Sequence, residues 1–525
     1  MKKSSLFLKK IYIIAVAILI LAGMTSCKMF EVLEMPSNNS GNSPSDKNEA
    51  VQPVNGGDLT IAATKPDTLN PILTNNYYID EVLGLIYDTL FTFDNNMKAV
   101  PSLVDSYNTS VDGITWSFKL KENIFWHDNK YFSAEDVVHT INMLMALPDN
   151  RYYHCVQNIE SIKVEGAYIF VIKCKTPDSF LNEKLYFPVL PKHVDVTNAP
   201  VGTGLFKFNF ITDNNMKLVK AILNTENLGR KTPYIETVTV EFFETTREAI
   251  FSDCDIVMTK YGEYPQIEGK IGYSVKKYIA AEYEVLAVNT AKDVLSDSSI
   301  RRAIAYAIDR NGAVAAFSNS RALINDCPIL PESWLRPKGE ITFTYNPSLS
   351  KELIHKSGKS NLQFDLLVNS ANAERVSYAE YFKEKLAEVG ITINVIQETA
   401  EVIGQKLESK EYDLLLTGIN VAAPYELKSF YSSNVPHNIS GYSNSILDGH
   451  FSKFDGYIYE NERKRIFSDI EEILLADVPM IGLFYKQNFI FYNNSRVYGI
   501  TESKPTYTKK FANIENWYVI NSAEG

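Results

Sequence analysis

The side chains that could carry out covalent chemistry are scattered along this chain, and no familiar catalytic spacing brings them together. The sequence contains neither His-Glu-x-x-His nor Gly-x-Ser-x-Gly, which build a zinc protease site and a serine nucleophile elbow. Gly358-Lys359-Ser360 has the last three residues of a phosphate-binding loop, but Leu353 stands where the first glycine is required, so we interpret this segment as a helix end. The sequence therefore predicts no catalytic residue and favours a binding protein over an enzyme.

Cysteine spacing does not indicate a metal or cofactor site. Beyond Cys27 the chain has Cys155, Cys174, Cys254 and Cys327, and no two of them form a Cys-x-x-Cys pair. Four cysteines are too few for the disulfide framework of so long a chain, so we expect buried thiols. A single bridge, with Cys155 and Cys174 as the candidate pair, stays open. We expect no metal ligand set and no cofactor.

The N-terminus has the pattern of an export signal. Four lysines within the first ten residues precede the uncharged apolar run 11–24, which is short for a bilayer span. Met24-Thr25-Ser26 then leads into Cys27 and resembles a bacterial lipobox, although the lipobox usually has Leu where Met24 stands. The resemblance implies a signal peptide over residues 1–26 and diacylation of the Cys27 sulfur. A plain secretory signal and an uncleaved anchor remain alternatives.

Composition limits the class of protein. Residues 27–55 are rich in Ser, Asn, Gly and Pro, which predicts a flexible linker. A chain of 525 residues is too long for one compact core, so we expect two or more lobes. The net charge of −11 argues against nucleic acid as a partner, because phosphate binding needs a basic surface.

The C-terminal half alternates strand and helix patterns. Phe364–Val368, Ile391–Val395 and Tyr412–Leu416 have the apolar character of strands, and helical spacing separates them. Strand, helix and strand in succession predict a parallel sheet with right-handed crossovers. Residues 299–310 form the clearest helix of the chain, and its apolar spacing places Arg301 on the outer face.

Six short motifs follow one another in a single order along the chain. They are Pro66-Asp67-Thr68-Leu69-Asn70-Pro71, Ile86-Tyr87-Asp88-Thr89-Leu90, Asp112-Gly113-Ile114-Thr115-Trp116-Ser117-Phe118-Lys119-Leu120, Phe125-Trp126-His127-Asp128 with Ser133-Ala134-Glu135-Asp136-Val137, Gly202-Thr203-Gly204, and Asn289-Thr290 with Ile300-Arg301-Arg302-Ala303. In this order they resemble the family 5 extracellular solute-binding proteins of ABC importers, the type that binds oligopeptides, dipeptides or nickel. The resemblance covers about residues 56–520.

The resemblance implies an α/β, two-lobed periplasmic-binding-protein-like fold of the cluster C type with an extra inserted domain. Lobe I would combine residues 56–100, 200–288 and 490–525, the inserted domain would span 101–199, and lobe II would span 289–489. The chain would cross between the lobes near Val288-Asn289 and again near Phe484–Phe491.

The resemblance also implies a ligand site between the lobes. One family ligand loop falls on Asn76, Tyr77 and Tyr78, where two tyrosines offer flat walls and hydroxyl groups. The second ligand loop falls on 418–424 and departs from the peptide-binding pattern. The predicted ligand contacts in this loop are Ile419, Asn420 and Ala422.

Two of these positions weaken the usual recognition of a peptide. Ile419 replaces the family tryptophan, and Ala422 replaces the aspartate that pairs with the peptide α-ammonium. A buried ammonium without a carboxylate is costly, so either Asp326 or Glu426 substitutes or the ligand is not a peptide.

The predicted function is that of the extracytoplasmic substrate-binding subunit of an ABC importer. It would capture a small solute, an oligopeptide in the first instance, by hinge closure and deliver it to ABC permease subunits. We expect a monomer held at the extracytoplasmic face of the cell membrane by its lipid anchor. The alternatives are a surface receptor for a peptide signal and a binder of a non-peptide ligand such as a metal chelate or a sugar.

Overall fold

The structure is a computed structural model that describes residues 52–266, 269–318, 321–330, 333–336, 341–421, 423–501, 510–511 and 513–520. The predicted signal peptide, Cys27 and nearly all of the predicted linker lie outside these residues. None of the described helices has the length and apolar character that a bilayer crossing needs. Cys155, Cys174, Cys254 and Cys327 are buried free thiols, as expected, and Cys155 and Cys174 form no bridge.

The strands are numbered in chain order. They are β1 Asp58–Thr64, β2 Phe91–Phe93, β3 Ala99–Pro101, β4 Val104–Thr109, β5 Thr115–Leu120, β6 Ile159–Gly166, β7 Ile169–Cys174, β8 Phe206–Ile211, β9 Asn215–Lys220, β10 Thr237–Phe243, β11 Ile256–Thr259, β12 Tyr273–Val288, β13 Ala322–Ile324, β14 Gln363–Asn369, β15 Thr392–Glu398, β16 Leu414–Asn420, β17 Met480–Asn493, β18 Val497–Tyr498 and β19 Tyr518–Val519.

The α-helices are numbered in the same way. They are α1 Tyr77–Leu83, α2 Ala134–Met145, α3 Tyr153–Val156, α4 Leu181–Lys184, α5 Thr246–Phe251, α6 Ser298–Ala307, α7 Arg310–Ser318, α8 Pro347–Ser357, α9 Ala373–Ala387, α10 Ala400–Ser409, α11 Leu427–Tyr431, α12 Ser445–Gly456 and α13 Glu460–Asp477.

The main sheet passes through both lobes. Its strands run in the order β15-β14-β16-β12-β17-β11-β1-β10-β9-β8, and β13 pairs with β17. We call the part with β14, β15 and β16 the second lobe and the part with β1, β8, β9, β10 and β11 the first lobe. β14 is parallel to both β15 and β16, which confirms the parallel sheet that the sequence predicts. A separate sheet in the order β4-β5-β7-β6 is built from the segment 104–174.

Two long antiparallel strands, β12 and β17, connect the lobes. Tyr273–Ile279 pairs with Gln487–Asn493 beside the first lobe, and Tyr283–Ala287 pairs with Met480–Tyr485 beside the second. The register shifts between Ile279 and Tyr283, so the ladder is interrupted at the point where the strands pass from one lobe to the other. An interrupted ladder is a position where a sheet can bend.

The second lobe buries both faces of its sheet. Val285 and Ala287 pack into one apolar core, whereas Leu286 and Val288 pack into another. Successive side chains of a strand point to opposite faces, so this alternation requires cover on each side. Helices supply that cover, as the α/β prediction requires.

The burial of Arg301 contradicts the prediction that this residue lies on the outer face of α6. Only 3% of the residue is exposed. Its Nε donates to the carbonyl oxygen of Asp477 at 2.7 Å, and its Nη1 donates to those of Leu295 and Ser296. Helix ends leave carbonyl groups without intrahelical donors, and a buried guanidinium satisfies three of them here. Apolar spacing alone could not reveal this role.

A buried ion pair fixes the start of α7. The predicted helix over 299–310 is two helices, because Ile308 adopts an extended conformation and α7 begins at Arg310. Arg310 Nη1 lies 2.5 Å from Asp326 Oδ1 and 3.0 Å from the carbonyl oxygen of Gly482, and both charged side chains are at most 3% exposed. Asp326 Oδ2 also accepts hydrogen bonds from the backbone N–H groups of Thr342 and Phe343.

The C-terminal segment completes the first lobe. Arg496, between β17 and β18, donates to Asp255, 241 residues earlier, and to the backbone oxygen of Asp58, 438 residues earlier. Lys510 lies 2.8 Å from Glu81 on α1, 429 residues earlier. The first and last strands of the main sheet, β1 and β17, are therefore joined through side chains of the first lobe.

Removing the Asp326 carboxylate should destabilise the protein strongly, because Arg310 would remain as an unpaired buried charge. We expect Asp326→Ala to lower the free energy of unfolding by about 3–5 kcal/mol in urea titrations followed by circular dichroism. The control is Glu352→Ala, which removes an exposed pair with Lys356 and should cost less than about 0.5 kcal/mol. Equal losses in the two variants would contradict the structural role of Asp326.

Candidate functional site

Four charged side chains meet where the two connecting strands cross between the lobes. Glu282 and Glu284 belong to β12, Lys486 belongs to β17, and Arg375 belongs to the first turn of α9 in the second lobe. We call these four residues the hinge quartet. They lie beside the interruption of the β12–β17 ladder, so their contacts join a helix of the second lobe to both connecting strands.

The geometry of the quartet is that of a dense ion-pair network. Arg375 holds Glu284 with two hydrogen bonds, from Nε to Oε2 at 2.9 Å and from Nη2 to Oε1 at 2.8 Å. The same Nη2 donates to Glu282 Oε1 at 2.8 Å. Lys486 Nζ lies 3.1 Å from Glu282 Oε1 and 3.0 Å from Glu284 Oε1. Two carboxylates and two cations therefore balance each other in charge.

Burial sets the protonation of the quartet. Burial acts to raise the pKa of Glu284, but the hydrogen bond from Arg375 and the charge of Lys486 outweigh it and hold the pKa below the usual range. Burial acts to lower the pKa of Lys486, and the charges of Glu284 and Glu282 raise it above the ordinary value. The charges of Glu284 and Glu282 also raise the pKa of Arg375 against the effect of burial, so Glu284, Lys486 and Arg375 are charged at neutral pH.

Glu282 is the open member of the quartet. Its side chain is 41% exposed, whereas that of Glu284 is 1% exposed. Glu282 uses Oε1 for its contacts with Arg375 and Lys486. Within the described part of the chain, Glu282 Oε2 accepts no hydrogen bond and Arg375 Nη1 donates none. One acceptor and one donor at the crossing are thus available to a ligand.

Gly418 on β16 makes room for this arrangement. A Cβ atom at this position would collide with Arg375 Nη2 and would lie 3.0 Å from Glu282 Oε1. Glycine is therefore required by the close approach of the guanidinium to the strand, and not by an unusual backbone angle.

Tyr261 reaches from the first lobe to the second at the edge of the crossing. Its hydroxyl lies 2.5 Å from Glu374 Oε1 and also contacts Ser318 and Tyr378 of the second lobe. Lys486 Nζ lies 5.2 Å from the centre of the Tyr261 ring, within the range of a cation–π contact. The quartet is thus connected to the first lobe through an aromatic side chain.

Tyr77 occupies the first-lobe side of the crossing, where two lysines face its ring. Lys510 Nζ lies 4.6 Å and Lys260 Nζ lies 5.0 Å from the ring centre. Burial raises the pKa of Tyr77 well above that of a free phenol, and the charges of Glu81 and Glu263 add to the shift. Tyr77 is therefore a neutral aromatic wall between cations, as a ligand-contacting tyrosine would be.

The other two residues of the predicted loop have structural contacts. Asn76 is the N-cap of α1, and its Oδ1 accepts hydrogen bonds from the backbone N–H groups of Tyr78 and Ile79. The Asn76 amide donates to Thr64 and to the carbonyl oxygen of Lys65. Tyr78 is buried and donates to Glu263 Oε2 at 3.0 Å. Tyr77 is thus the residue of this loop whose surroundings suit a ligand best.

The predicted residues of the second lobe are spread over different environments. Asp326 is buried against Arg310. Ile419 is buried in an apolar core, opposite Tyr283 in the ladder. Asn420 is exposed and pairs in register with Glu282, so it is the one that the structure brings beside the quartet. Ala422 lies outside the described residues.

Glu426, the second carboxylate considered from the sequence, also has contacts of its own. Its Oε2 accepts a hydrogen bond from the backbone N–H of Ala423 at 2.9 Å, and its Oε1 lies 3.8 Å from His154 Nε2. Among the described residues, no cluster of three or more His, Cys, Asp or Glu side chains is placed to hold a metal ion.

A cavity of about 540 Å³ lies on the first-lobe side and extends to the hinge. Ala281 of β12, the residue before Glu282, is part of its lining, together with Asp80 and Glu81 of α1. Tyr152 and Tyr186, from the segment between β3 and β8, line it as well. This volume is in the range of small-molecule sites in proteins.

The second lobe also contacts the segment between β7 and β8, at a place that we call the latch and define as Ser179, Phe180 and Glu183 of that segment. Phe180 is fully buried, and its ring centre lies 4.7 Å from that of Phe454 on α12. The Arg463 guanidinium of α13 lies 4.8 Å from the Phe180 ring centre and 3.5 Å from Glu183. Ser179 donates to the carbonyl oxygen of Phe454 at 2.8 Å.

The sequence did not reveal the quartet, although one signal was present. Glu284 lies in a strand where Tyr283, Val285 and Leu286 are all buried, and a charge at such a position requires a partner. Its partner Arg375 is 91 residues away, and nothing in the spacing of either residue identifies the pair.

Comparison with known proteins gives a consistent result. The family model of bacterial extracellular solute-binding proteins, family 5, matches residues 98–440. The oligopeptide-binding protein AppA of Bacillus subtilis is 23% identical over 533 residues, which cover 92% of this chain and 95% of AppA. The glutathione-binding protein GsiB of Pectobacterium atrosepticum is 24% identical over 467 residues, covering 81% of this chain and 88% of GsiB. These relatives are named as binding proteins and not as enzymes.

Solved structures agree on the fold. The ABC transporter substrate-binding protein CtaP of Listeria monocytogenes superposes with a TM-score of 0.73 at 21% identity, covering 89% of this chain and 99% of CtaP. This likeness confirms the two-lobed α/β fold. Since the family model matches most of the chain and the relatives match nearly all of it, this chain belongs to the bacterial extracellular solute-binding proteins of family 5.

Proposed function

We propose that this family 5 solute-binding protein captures a small peptide-like solute at the hinge quartet and hands it to the permease of an ABC importer. The observation that carries the proposal is the pair of available atoms, Glu282 Oε2 and Arg375 Nη1, at the crossing of the strands that connect the lobes. A carboxylate beside a guanidinium suits a ligand that has an ammonium group close to a carbonyl or carboxylate oxygen.

The chemistry of the relatives supports a peptide. One is named for oligopeptides and another for glutathione, and both ligands are built from amino acids. In this proposal Glu282 supplies the carboxylate that is missing at Ala422. It lies on β12, in register with Asn420. Asp326 and Glu426, in contrast, already satisfy other groups of the protein.

Hinge closure explains how binding is signalled to a membrane partner. A ligand shifts an equilibrium between open and closed forms only by its difference in affinity for them. Glu282 lies on a connecting strand and Arg375 on the second lobe, so a ligand that contacts both, and Tyr77 on the first lobe, binds the closed form more tightly. The permease would then recognise closure and not the ligand itself.

We infer in addition that the protein is a lipid-anchored monomer at the extracytoplasmic face, with the lobe ranges given by the sequence. The support is the segment ending at Cys27 and the tether that follows it. Recovery of a Cys27→Ser form with membranes as complete as that of the wild type would contradict the anchor.

Native mass spectrometry of the protein purified from its own cells tests the ligand class. We expect one copurified small peptide-like molecule for each chain. A copurified metal chelate or sugar would overturn the peptide assignment and leave the capture mechanism standing. Unchanged peptide uptake in a deletion strain, together with loss of a peptide response, would favour a receptor over an importer subunit.

Neutralising Glu282 should weaken the binding of ligands that have a free ammonium group. By isothermal titration with tri- to pentaalanine, Glu282→Gln should lose about tenfold to a hundredfold in affinity, the size of a lost charged hydrogen bond. N-acetylated forms of the same peptides should bind both proteins equally weakly. Glu284→Gln is the matched comparison, and its main effect should be a lower free energy of unfolding, because Glu284 is buried. Equal affinity of the wild type and Glu282→Gln for free peptides would contradict the site.

Removing the latch ring should shift the protein towards an open form. Phe180→Ala deletes a fully buried ring that packs on Phe454, so closure should bury less apolar surface and become less favourable. We expect a larger radius of gyration by small-angle X-ray scattering without ligand, and a weaker peptide affinity because fewer molecules are competent to bind. Phe251→Ala on the exposed face of α5 is the control. Identical scattering curves for Phe180→Ala and the wild type would contradict the latch.

A further inference from the structure

The charged residues that line the first-lobe cavity fall into two groups. Five of them are held in ion pairs. Two pairs lie within the lining, Asp80 with Arg151 at 2.5 Å and Asp88 with Arg230 at 2.6 Å. The fifth lining residue, Glu81, pairs at 2.8 Å with Lys510, which is outside the lining. Lys121 and Glu515 line the same cavity, and neither forms an ion pair with any residue that the structure describes. These two are the exceptions in an otherwise neutralised cavity.

Both exceptions are partly withdrawn from water. Lys121 and Glu515 are each half-buried. Burial lowers the pKa of Lys121, and the neighbouring charge of Arg230 lowers it further, whereas Asp105 and Asp88 oppose the shift. Burial raises the pKa of Glu515, whereas a hydrogen bond from its own backbone N–H and the charges of Arg230 and Lys231 oppose the shift. Each charge has thus lost hydration without an ion-pair partner among the described residues, and a ligand of opposite charge would compensate for that loss.

The rest of the lining is largely apolar and combines aliphatic side chains, such as Leu205 and Leu228, with aromatic ones. Phe91 and Phe93 come from the segment that follows α1, and Phe511 comes from the C-terminal segment. These three rings are at most 7% exposed, so the apolar character belongs to the lining as a whole. A cavity whose ammonium and carboxylate have no ion-pair partner among the described residues, and whose walls are largely apolar, has complementary features for a molecule that has both charges and an apolar body.

We propose that the part of the cavity lined by Lys121 and Glu515 is a second binding site, which takes a small zwitterion with an aromatic or apolar body. The ligand carboxylate would bind Lys121, with Arg230 behind it, and the ligand ammonium would bind Glu515. An aromatic α-amino acid has this chemistry. The site is distinct from the hinge quartet in all its charged residues, and the proposal does not depend on the function assigned to the quartet.

Three related probes test the proposal by isothermal titration with the full-length protein. L-Phenylalanine has both charges, 3-phenylpropanoate lacks the ammonium and 2-phenylethylamine lacks the carboxylate. We expect L-phenylalanine to bind at least about tenfold more tightly than either analogue, because each analogue leaves one buried charge unpaired. Lys121→Met should lose the preference for the carboxylate, and Glu515→Gln should lose the preference for the ammonium.

The controls separate this site from the quartet and from misfolding. Lys121→Arg should keep binding, and Lys163→Met, which removes an exposed lysine on β6, should change nothing. L-Phenylalanine also has the groups that suit the quartet, so each titration is repeated in the Glu282→Gln background. The losses caused by Lys121→Met and Glu515→Gln should be the same there. Absence of L-phenylalanine binding to the wild type, or equal affinity for all three probes, would overturn the proposal. It would also be overturned if Lys121→Met and Glu515→Gln lowered the melting temperature equally and non-additively, since the two side chains would then pair with each other.

Discussion

A charge removed from water must be matched by another charge, and at the crossing of β12 and β17 that requirement acts on the strands that connect the two lobes. The side chain of Glu284 is 1% exposed, and the residue belongs to β12, one of the two strands that connect the lobes. Leaving it unpaired would cost several kcal/mol in a protein interior, on the order of the whole stability of a domain. Arg375 and Lys486 meet the requirement, and the nearby backbone accommodates them, since Gly418 leaves space for the guanidinium.

This requirement also determines how the lobes are coupled. Arg375 belongs to a helix of the second lobe, while Lys486 and both glutamates belong to the connecting strands. A bend of the strands cannot separate these residues freely, because each separation would expose or isolate a charge. The quartet thus favours discrete arrangements of the lobes over a continuum, which is the behaviour that two-state capture needs.

The sequence predicted the features that depend on local periodicity. The parallel strands β14, β15 and β16 alternate with helices, and each element has its own apolar pattern, so their arrangement follows from short-range rules. Glu284 and Arg301 were beyond such rules. Glu284 pairs with Arg375, 91 residues away. Arg301 donates to Asp477, 176 residues away, in addition to two carbonyl oxygens 6 and 5 residues before it. Charged residues are normally exposed, and only the folded contacts show when one is not.

The predicted site residues show the same division between position and role. The loop before α1 does lie at the first-lobe side of the crossing, but Asn76 uses its side chain to cap the helix and Tyr77 faces the cations. Asp326 has the right chemistry for a ligand and the wrong neighbours, because Arg310 already satisfies it. A motif thus locates a segment of backbone, whereas the function of each side chain depends on contacts that no motif records.

The long-range contacts of the C-terminal segment affect the order in which the molecule can assemble. β17 lies between β12 and β11 in the sheet, and Arg496 contacts residues as distant as Asp58. β17 follows every other strand of the main sheet along the chain, so a polypeptide emerging from the ribosome lacks this central strand until all its partner strands have been made. Non-local topologies also fold slowly. Both properties keep the nascent chain unfolded for longer, and an unfolded chain is the form that a protein-conducting channel can thread across a membrane.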